Sequence, residues 1–381
     1  MNKSTLKIGL IGFGAMGKTH TYAVQNLPFF FNDLPFHAKI EGVVTRSEAK
    51  SNAISTTYGI PIATTNEDAL ICDPSIDAID ICTPNVFHYE TAKKALLAGK
   101  HVYCEKPLCD TYEKAAELAT LAKERGLVNM TVFNNRHLTA VIRARQLIDE
   151  GRIGRILHFD VQYLHNSCID PDRTVGWKQD SLLCGDGGVL FDLGSHALDI
   201  AVFLCGKLQS ISGKSQIAYQ THKTSTGEDW QTNAPEAFYM MATTCDGAAG
   251  MITASKLTSG ACDDLSFAVY GERGSIRFSL MQPNFLEFYD ATASDKPQGG
   301  TRGYTYIECA GRAPAPGGVF PAPKAPVGWL SGHVMSMYRF LSAVHQGTGV
   351  APDFADGAYV QYLMELAMRS DKLGCRLEVS P

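Results

Sequence analysis

The chain has 381 residues, of which 45% are hydrophobic and 19% charged, and its formal net charge is -5. At ~100 to 200 residues per domain this length implies two cores, and the ordinary composition, with mean hydropathy near zero, argues against both disorder and membrane residence. The acidic balance and the lack of any Lys/Arg run count against a nucleic-acid partner; eleven scattered cysteines with no Cys-x-x-Cys pair count against a zinc knuckle, a redox pair or a secreted disulfide framework.

The short polar N-terminus, followed by an apolar run broken by glycines, does not resemble a signal peptide. No apolar segment is long enough to span a bilayer. A reducing cytoplasm, without membrane or nucleic-acid partners, is the expected setting.

The first third alternates strand and helix patterns. Residues 6–11 read as a strand, 14–27 as a helix, 40–45 as a strand and 48–58 as a helix. A short strand at 78–82 follows, then a helix at 88–98, a strand at 101–104, a helix at 113–125 and a strand at 128–133. This alternation predicts an α/β domain over residues 1–133, a doubly wound parallel sheet with helices on both faces. The apolar cluster 27–36, interrupted by Pro28, Asn32, Asp33 and Pro35, is expected to pack as a loop.

From Asn134 the pattern changes. A helix over 140–150 leads through Gly151 and Gly154 into strand-like runs at 156–164, 211–219, 237–244, 250–256, 266–270, 275–279 and 285–289, with a helix at 194–204 between the first two. Many strands with few helices predict a second α/β domain, 134–381, built on a large, open, mainly antiparallel sheet. The Pro/Gly-rich stretch 294–326 reads as a long surface loop, and 333–346 and 356–373 as closing helices.

Chemistry concentrates at the ends of the early strands. Gly12-Phe13-Gly14-Ala15-Met16-Gly17 follows a strand and opens a helix, the context in which glycines let the backbone approach a pyrophosphate and aim a helix N-terminus at its charge. The plainer alternative is a glycine-rich turn. At the end of the second strand, where an NAD-specific site carries an acid, stand Thr45, Arg46 and, a little later, Lys50. Hydroxyl and cations there favour NADP slightly over NAD, although Arg46 and Lys50 also suit a solvated helix start. Thr83-Pro84-Asn85 and His88 lie after another strand, placed either to meet the nicotinamide half of the cofactor or to form a Pro-containing turn and cap. Glu105-Lys106-Pro107 closes the strand at 101–104, so Lys106 is delivered where both cofactor and substrate would be, with Glu105 beside it either to orient or neutralise it or as a structural carboxylate, and both residues count as candidate cofactor contacts.

A second constellation lies in the run 187–199. If a helix begins near Asp192, the spacing of Asp192 and His196 puts both on one face, where a histidine could exchange a proton with a substrate hydroxyl. An N-cap aspartate with a core histidine is the alternative. Zinc lacks a third ligand at metal spacing, so no metal is expected. Arg136, Tyr163, His165 and Trp177 are nominated as substrate contacts, each competing with a core or surface role.

Taken together, the glycine fingerprint, Thr83-Pro84-Asn85 with His88, the run 98–107, Asn134 with Arg136, Gly151 to Gly154 and the run 187–199 resemble the Gfo/Idh/MocA family, that of glucose-fructose oxidoreductase and myo-inositol dehydrogenase. The resemblance covers nearly the whole chain. It implies a Rossmann domain followed by a C-terminal α/β domain whose sheet supports a homo-oligomer, a dimer or tetramer. It further implies hydride transfer between NAD(P) and a secondary alcohol or ketone of a sugar, cyclitol or related polyol, with Lys106, Asp192 and His196 at the catalytic positions. An NAD-dependent glycosidase of the same fold and a non-catalytic nucleotide- or sugar-binding regulator are the rival readings. Two departures fall where substrate choice could be made: Lys178 follows Trp177 where arginine is common, and the Pro/Gly-rich stretch is long.

Overall fold

The structure is a computed structural model that describes residues 3–310, 322, 325–326 and 328–380. The chain divides into two compact units. The first is Met1–Asn134 joined by Leu330–Gln361; the second runs from Asn135 and resumes at Tyr362.

In the first unit, β1 (Ser4–Ile11), α1 (Ala15–Phe30), β2 (Phe36–Val44), α2 (Glu48–Tyr58), β3 (Ile62–Thr64), α3 (Asp68–Ile71), β4 (Ala78–Ile81), α4 (His88–Leu97), β5 (His101–Cys104), α5 (Tyr112–Glu124) and β6 (Asn129–Thr131) follow in order. The strands form one parallel sheet, β3-β2-β1-β4-β5-β6. Because successive residues point to opposite faces, Leu6, Ile8 and Leu10 enter one apolar layer with Val24 and Leu27, while Ile79, Ile81, Val102 and Cys104 enter another with Ala92, Ala95, Leu96 and Leu118. Strand order reverses between β1 and β4, which places a crevice at their carboxyl ends.

Two sequence expectations change here, and one short strand goes unpredicted. The cluster 27–36 is no loop throughout: α1 continues through Pro28 to Phe30 and β2 already starts at Phe36. Leu27, Phe31, Leu34 and Phe36 are all buried. At ~1.5 to 3 kcal/mol for each large apolar side chain, their burial outweighs the cost of ~3 kcal/mol for a helical proline. β3, at three residues, is too short to show an alternation. The helix Trp329–Gln346, expected to close the second domain, contributes Val334, Met337, Phe340 and Leu341 to the core of the first unit.

The second unit contains α6 (Thr139–Asp149), β7 (Ile156–Leu164), α7 (Ser181–Cys184), α8 (Ser195–Cys205), β8 (Leu208–Gln216), the hairpin β9 (Thr221–Lys223) and β10 (Asp229–Gln231), β11 (Ala237–Thr244), β12 (Ala249–Ser255), β13 (Asp264–Gly271), β14 (Gly274–Ser279), β15 (Phe285–Asp290), β16 (Tyr304–Glu308) and β17 (Leu377–Glu378). Nine strands form one sheet, β16-β15-β14-β13-β7-β12-β11-β8-β17, antiparallel except where β12 runs parallel to β7. One face takes α8 against β7 and β12. On the other, pairing aligns Met241 with Met251, Met251 with Asp160, Ala268 with Arg277 and Glu287 with Tyr306, and both methionines and Tyr306 are exposed. The stretch 294–326 is not wholly a loop, since β16 lies within it; its part at 311–321 lies outside the described residues. Among the described residues no helix is long and apolar enough to cross a membrane.

Candidate active site

The glycine turn between β1 and α1 gives each glycine a different task. Gly12 has φ +95°, and a Cβ there would stand 2.6 Å from the Cys82 carbonyl oxygen. A Cβ on Gly17 would meet the Gly12 carbonyl oxygen at 2.5 Å, so that glycine lets helix and turn pack together. Among the described residues a Cβ on Gly14 would meet nothing within 4 Å, and α1 starts right after it with no side-chain cap. The turn therefore leaves open space in front of a helix N-terminus, which suits a pyrophosphate. Phe13 faces inward, buried against Tyr58, so its side chain serves the core; Ala15 and Met16 supply the first turn of the helix.

This arrangement carries a sharp prediction. Gly14→Val is expected to leave the melting temperature unchanged within a few degrees while weakening NADH binding by ~10-fold or more, because the side chain occupies the ligand's space and no protein atom's. Fluorescence titration and thermal melting measure the two effects.

At the end of β2 the Thr45 hydroxyl donates to the Ser47 carbonyl and lies 2.9 Å from the Ser51 hydroxyl, so it is committed to shaping the turn. Ser47 caps α2 by accepting from the Lys50 backbone N–H, and Arg46 and Lys50 are exposed. After β4, the Thr83 Oγ1 is buried with no hydrogen-bond partner among the described residues, an opening for a ligand group at the crevice. Pro84 precedes a single 3-10 turn, Asn85–Phe87, whose first residue is buried.

His88 has another task than the cofactor contact expected of it. Its Nδ1 lies 2.9 Å from the Pro107 carbonyl and its Nε2 2.9 Å from that of Thr83. Burial holds its imidazole below the usual histidine range. With one N–H donating to a backbone carbonyl and the other nitrogen also facing backbone, the ring packs between the loops after β4 and β5.

Lys106 follows β5 at the carboxyl end of the sheet and is half-buried. Its backbone N–H donates to Glu105 Oε2 at 3.2 Å. Glu105 is buried and turns its other oxygen to His20 Nε2 at 3.1 Å, so it faces the protein interior and not a ligand. Burial alone would raise this carboxyl, but the hydrogen bond and charge of His20, with Lys106 nearby, hold it at about 2.

In the second unit Asp192 sits in a π-helical turn, Leu190–Gly194, that runs directly into α8, and His196 is the second residue of α8. Both are buried. Asp192 is held from two sides, by Lys178 Nζ at 2.6 Å and by the buried Lys256 Nζ at 3.1 Å. His196 packs edge-on against Tyr163, with ring centroids 5.7 Å apart. Neither an N-cap contact nor solvent exposure accounts for Asp192; a carboxylate between two ammonium groups does.

The substrate nominees fare unevenly. Tyr163 donates to Asp263 Oδ1 at 2.7 Å, and His165 Nε2 lies 2.7 Å from the same oxygen. Burial and then the Asp263 charge push the Tyr163 phenol up, whereas these two hydrogen bonds outweigh burial at Asp263 and hold its carboxyl low. Trp177 is exposed at the start of a 3-10 turn, beside the Lys178 ammonium at 5.8 Å. Arg136 is structural: buried, it pairs with Asp199 through Nε at 2.9 Å and Nη2 at 2.6 Å and lies over the Phe203 ring. A guanidinium so enclosed by its carboxylate is unsuited to a neutral sugar hydroxyl.

Sequence reasoning missed Lys256, Asp263 and His20 as members of these clusters. Lys256 follows β12, and only the β12–β7 pairing brings that strand end to the site's layer. Asp263 precedes β13, whose register sets Asp264 opposite Leu164.

Comparison with known proteins agrees with this anatomy. Residues 6–133 match the family described as "Oxidoreductase family, NAD-binding Rossmann fold", and residues 141–277 match the "GFO/IDH/MocA C-terminal domain". Levoglucosan dehydrogenase of Pseudarthrobacter phenanthrenivorans is 30% identical over 379 residues, covering 96% of both chains. A D-xylose dehydrogenase of Paenarthrobacter nicotinovorans is 29% identical over 203 residues, 52% of this chain and 51% of its own. Among solved structures, levoglucosan dehydrogenase in complex with NADH and levoglucosan superposes with a TM-score of 0.94 at 28% identity, covering 99% of this chain and 100% of that one. With a dinucleotide-shaped glycine turn in one unit, a lysine-clamped aspartate beside a histidine in the other, and matches across both, the chain belongs to the Gfo/Idh/MocA family and is a nicotinamide-dependent oxidoreductase of sugar-type CH–OH groups.

Proposed function

We propose that the protein oxidises a secondary alcohol of a sugar, anhydro sugar or cyclitol, with Lys106, Asp192 and His196 as its catalytic residues. Supporting this, Lys106 stands at the carboxyl end of β5 in a sheet whose glycine turn is shaped for a dinucleotide. That single placement carries the reading. Gly12 to Gly17, Thr83 and Asn85 would hold the cofactor, whose nicotinamide supplies the hydride acceptor when bound. The Lys106 ammonium binds the carbinol oxygen and stabilises the charge that grows on it. His196 takes the hydroxyl proton as the carbon-bound hydride departs with its electron pair, leaving a ketone. Asp192, fixed by Lys178 and Lys256, keeps the histidine and the substrate in register. Tyr163, His165 and Trp177 are proposed to border the sugar.

Levoglucosan and D-xylose, the sugars in the relatives' names, head the panel to be tested with NAD+ and NADP+ in turn. Reduced cofactor is expected with at least one sugar. Its absence throughout, together with aglycone release from a chromogenic glycoside without added nicotinamide, would give the site to glycoside cleavage instead.

NADP+ is proposed to be accepted beside NAD+, slightly favoured, because exposed Arg46 and Lys50 follow β2 where a carboxylate would repel the 2′-phosphate. Arg46→Glu is expected to lower kcat/KM for NADP+ by ~10-fold or more and to spare NAD+. Equal losses with both cofactors would remove Arg46 from this role. A cytoplasmic setting is supported by eleven scattered cysteines without a Cys-x-x-Cys pair, and a homo-oligomer, dimer or tetramer, by the exposed Met241, Met251 and Tyr306 on the open sheet face.

A further inference from the structure

A charged cluster lies in the interior of the first unit, and the reaction steps above make no use of it. His20 is on the inward face of α1, three residues beyond the last glycine of the turn, and its side chain is fully buried. Its Nδ1 lies 2.9 and 3.1 Å from the two carboxylate oxygens of Asp80, on β4, and its Nε2 lies 3.1 Å from Glu105 Oε1, just after β5. The Cys82 sulfur stands 3.1 Å from Nδ1. The rings of Tyr103, on β5, and His333, on the helix Trp329–Gln346, lie 5.2 and 5.8 Å from the His20 ring.

These groups are close enough together to raise the question of a metal, since His20, Glu105 and His333 bring candidate atoms within 4.8 Å, as do His20, Asp80 and Cys82. The hydrogen bonds answer it differently. A histidine with a carboxylate at each ring nitrogen donates two N–H groups and keeps no lone pair for a cation. Charge accounting agrees. The imidazolium stands between the two buried carboxylates, and the Lys106 charge also acts on Glu105. The remaining groups stay neutral: burial, followed by the charge of His20, lowers His333 to about 3, and burial raises the thiol of Cys82 and the phenol of Tyr103.

We propose that His20 is a positioning residue for the reaction: a buried imidazolium, shared between Asp80 and Glu105, that keeps Glu105 ionised and aimed at the Lys106 backbone, and thereby sets Lys106 for the substrate oxygen. The chain of contacts is continuous, from Asp80 through His20 and Glu105 to the Lys106 N–H. It links the helix that begins at the cofactor turn to the strand that ends at the catalytic lysine. The inference rests on the proposed role of Lys106.

Two measurements test it. In the intact protein, selective ¹⁵N labelling of histidine is expected to show one imidazole protonated at both nitrogens from neutral to mildly alkaline pH, and that signal is expected to vanish in His20→Asn. A neutral His20 at neutral pH would overturn the proposal without any variant having to fold. In turnover, His20→Asn is expected to lower kcat by ~10-fold or more and to change NADH affinity by no more than a few-fold. The sign on the acid side follows from Glu105: with the imidazolium gone, burial raises its carboxyl from about 2, so it takes up a proton as pH falls and activity is lost at pH values the native enzyme tolerates. Because His20 acts through Glu105, the pair His20→Asn and Glu105→Gln should be no worse than the poorer single variant. Losses that multiply, an unshifted acid limb, or stoichiometric metal in the purified protein would each overturn the assignment. Native turnover of a sugar is the control: its absence counts against the proposed function, while a neutral His20 counts against this inference alone.

Discussion

Replacing Lys106 by methionine is expected to lower kcat by ~10³-fold or more, because the substitution keeps most of the aliphatic stem and deletes the one charge proposed to meet the reacting oxygen. Affinity for NADH should stay within a few-fold of native. The glycine turn, the buried Thr83 hydroxyl and the α1 N-terminus that would hold the dinucleotide are all intact in the variant. Folding should also survive, though with a cost, since Lys106 neutralises part of the charge on Glu105. Stability and catalysis can be separated by measuring thermal melting, NADH fluorescence and steady-state turnover on one preparation. Turnover within ~10-fold of native in a folded, NADH-binding variant would remove Lys106 from the chemistry.

The residues that sequence alone could place share one property: their roles are set by neighbours close along the chain. Lys106 is legible because β5 is a short apolar run buried on both faces, and its end fixes the lysine at the crevice. The glycine turn is legible for the same reason, with strand, turn and helix contiguous. For Arg136 sequence left a substrate and a core role open because its partner, Asp199, lies on α8, beyond α6, β7 and three short helical turns. Sequence left two roles open for His88 because the two carbonyls that face its ring come from different loops. Lys256 and His20 gave no local signal, since strand order alone brings β12 beside β7, and β4 and β5 beneath α1. The helix Trp329–Gln346 was readable as a helix, but nothing in its periodicity says which sheet it covers. Local pattern thus determined the elements, and strand adjacency determined which side chains meet.

The aspartate and histidine of the second unit should separate in their effects. His196→Asn is expected to reduce kcat by ~10² to 10⁴-fold with little change in melting temperature, because asparagine is of similar size and what is lost is a proton acceptor. The pH dependence of kcat/KM should lose the limb that reports the base. Asp192→Asn should also reduce kcat, and in addition it should destabilise the fold. Lys256 is buried with its ammonium 3.1 Å from Asp192, so a neutral amide would leave that charge without its carboxylate. Removing one partner of a buried pair costs ~3 to 5 kcal/mol, whereas the exposed Lys178 side of the clamp should contribute under ~1 kcal/mol. Lys256→Met combined with Asp192→Asn removes both charges, and it should recover stability relative to Asp192→Asn alone without recovering turnover. If the double variant is no more stable than the single, the clamp is not what holds Asp192. If His196→Asn keeps native kcat and both pH limbs, the proton leaves the substrate by another route, and the imidazole beside Tyr163 is there only to pack.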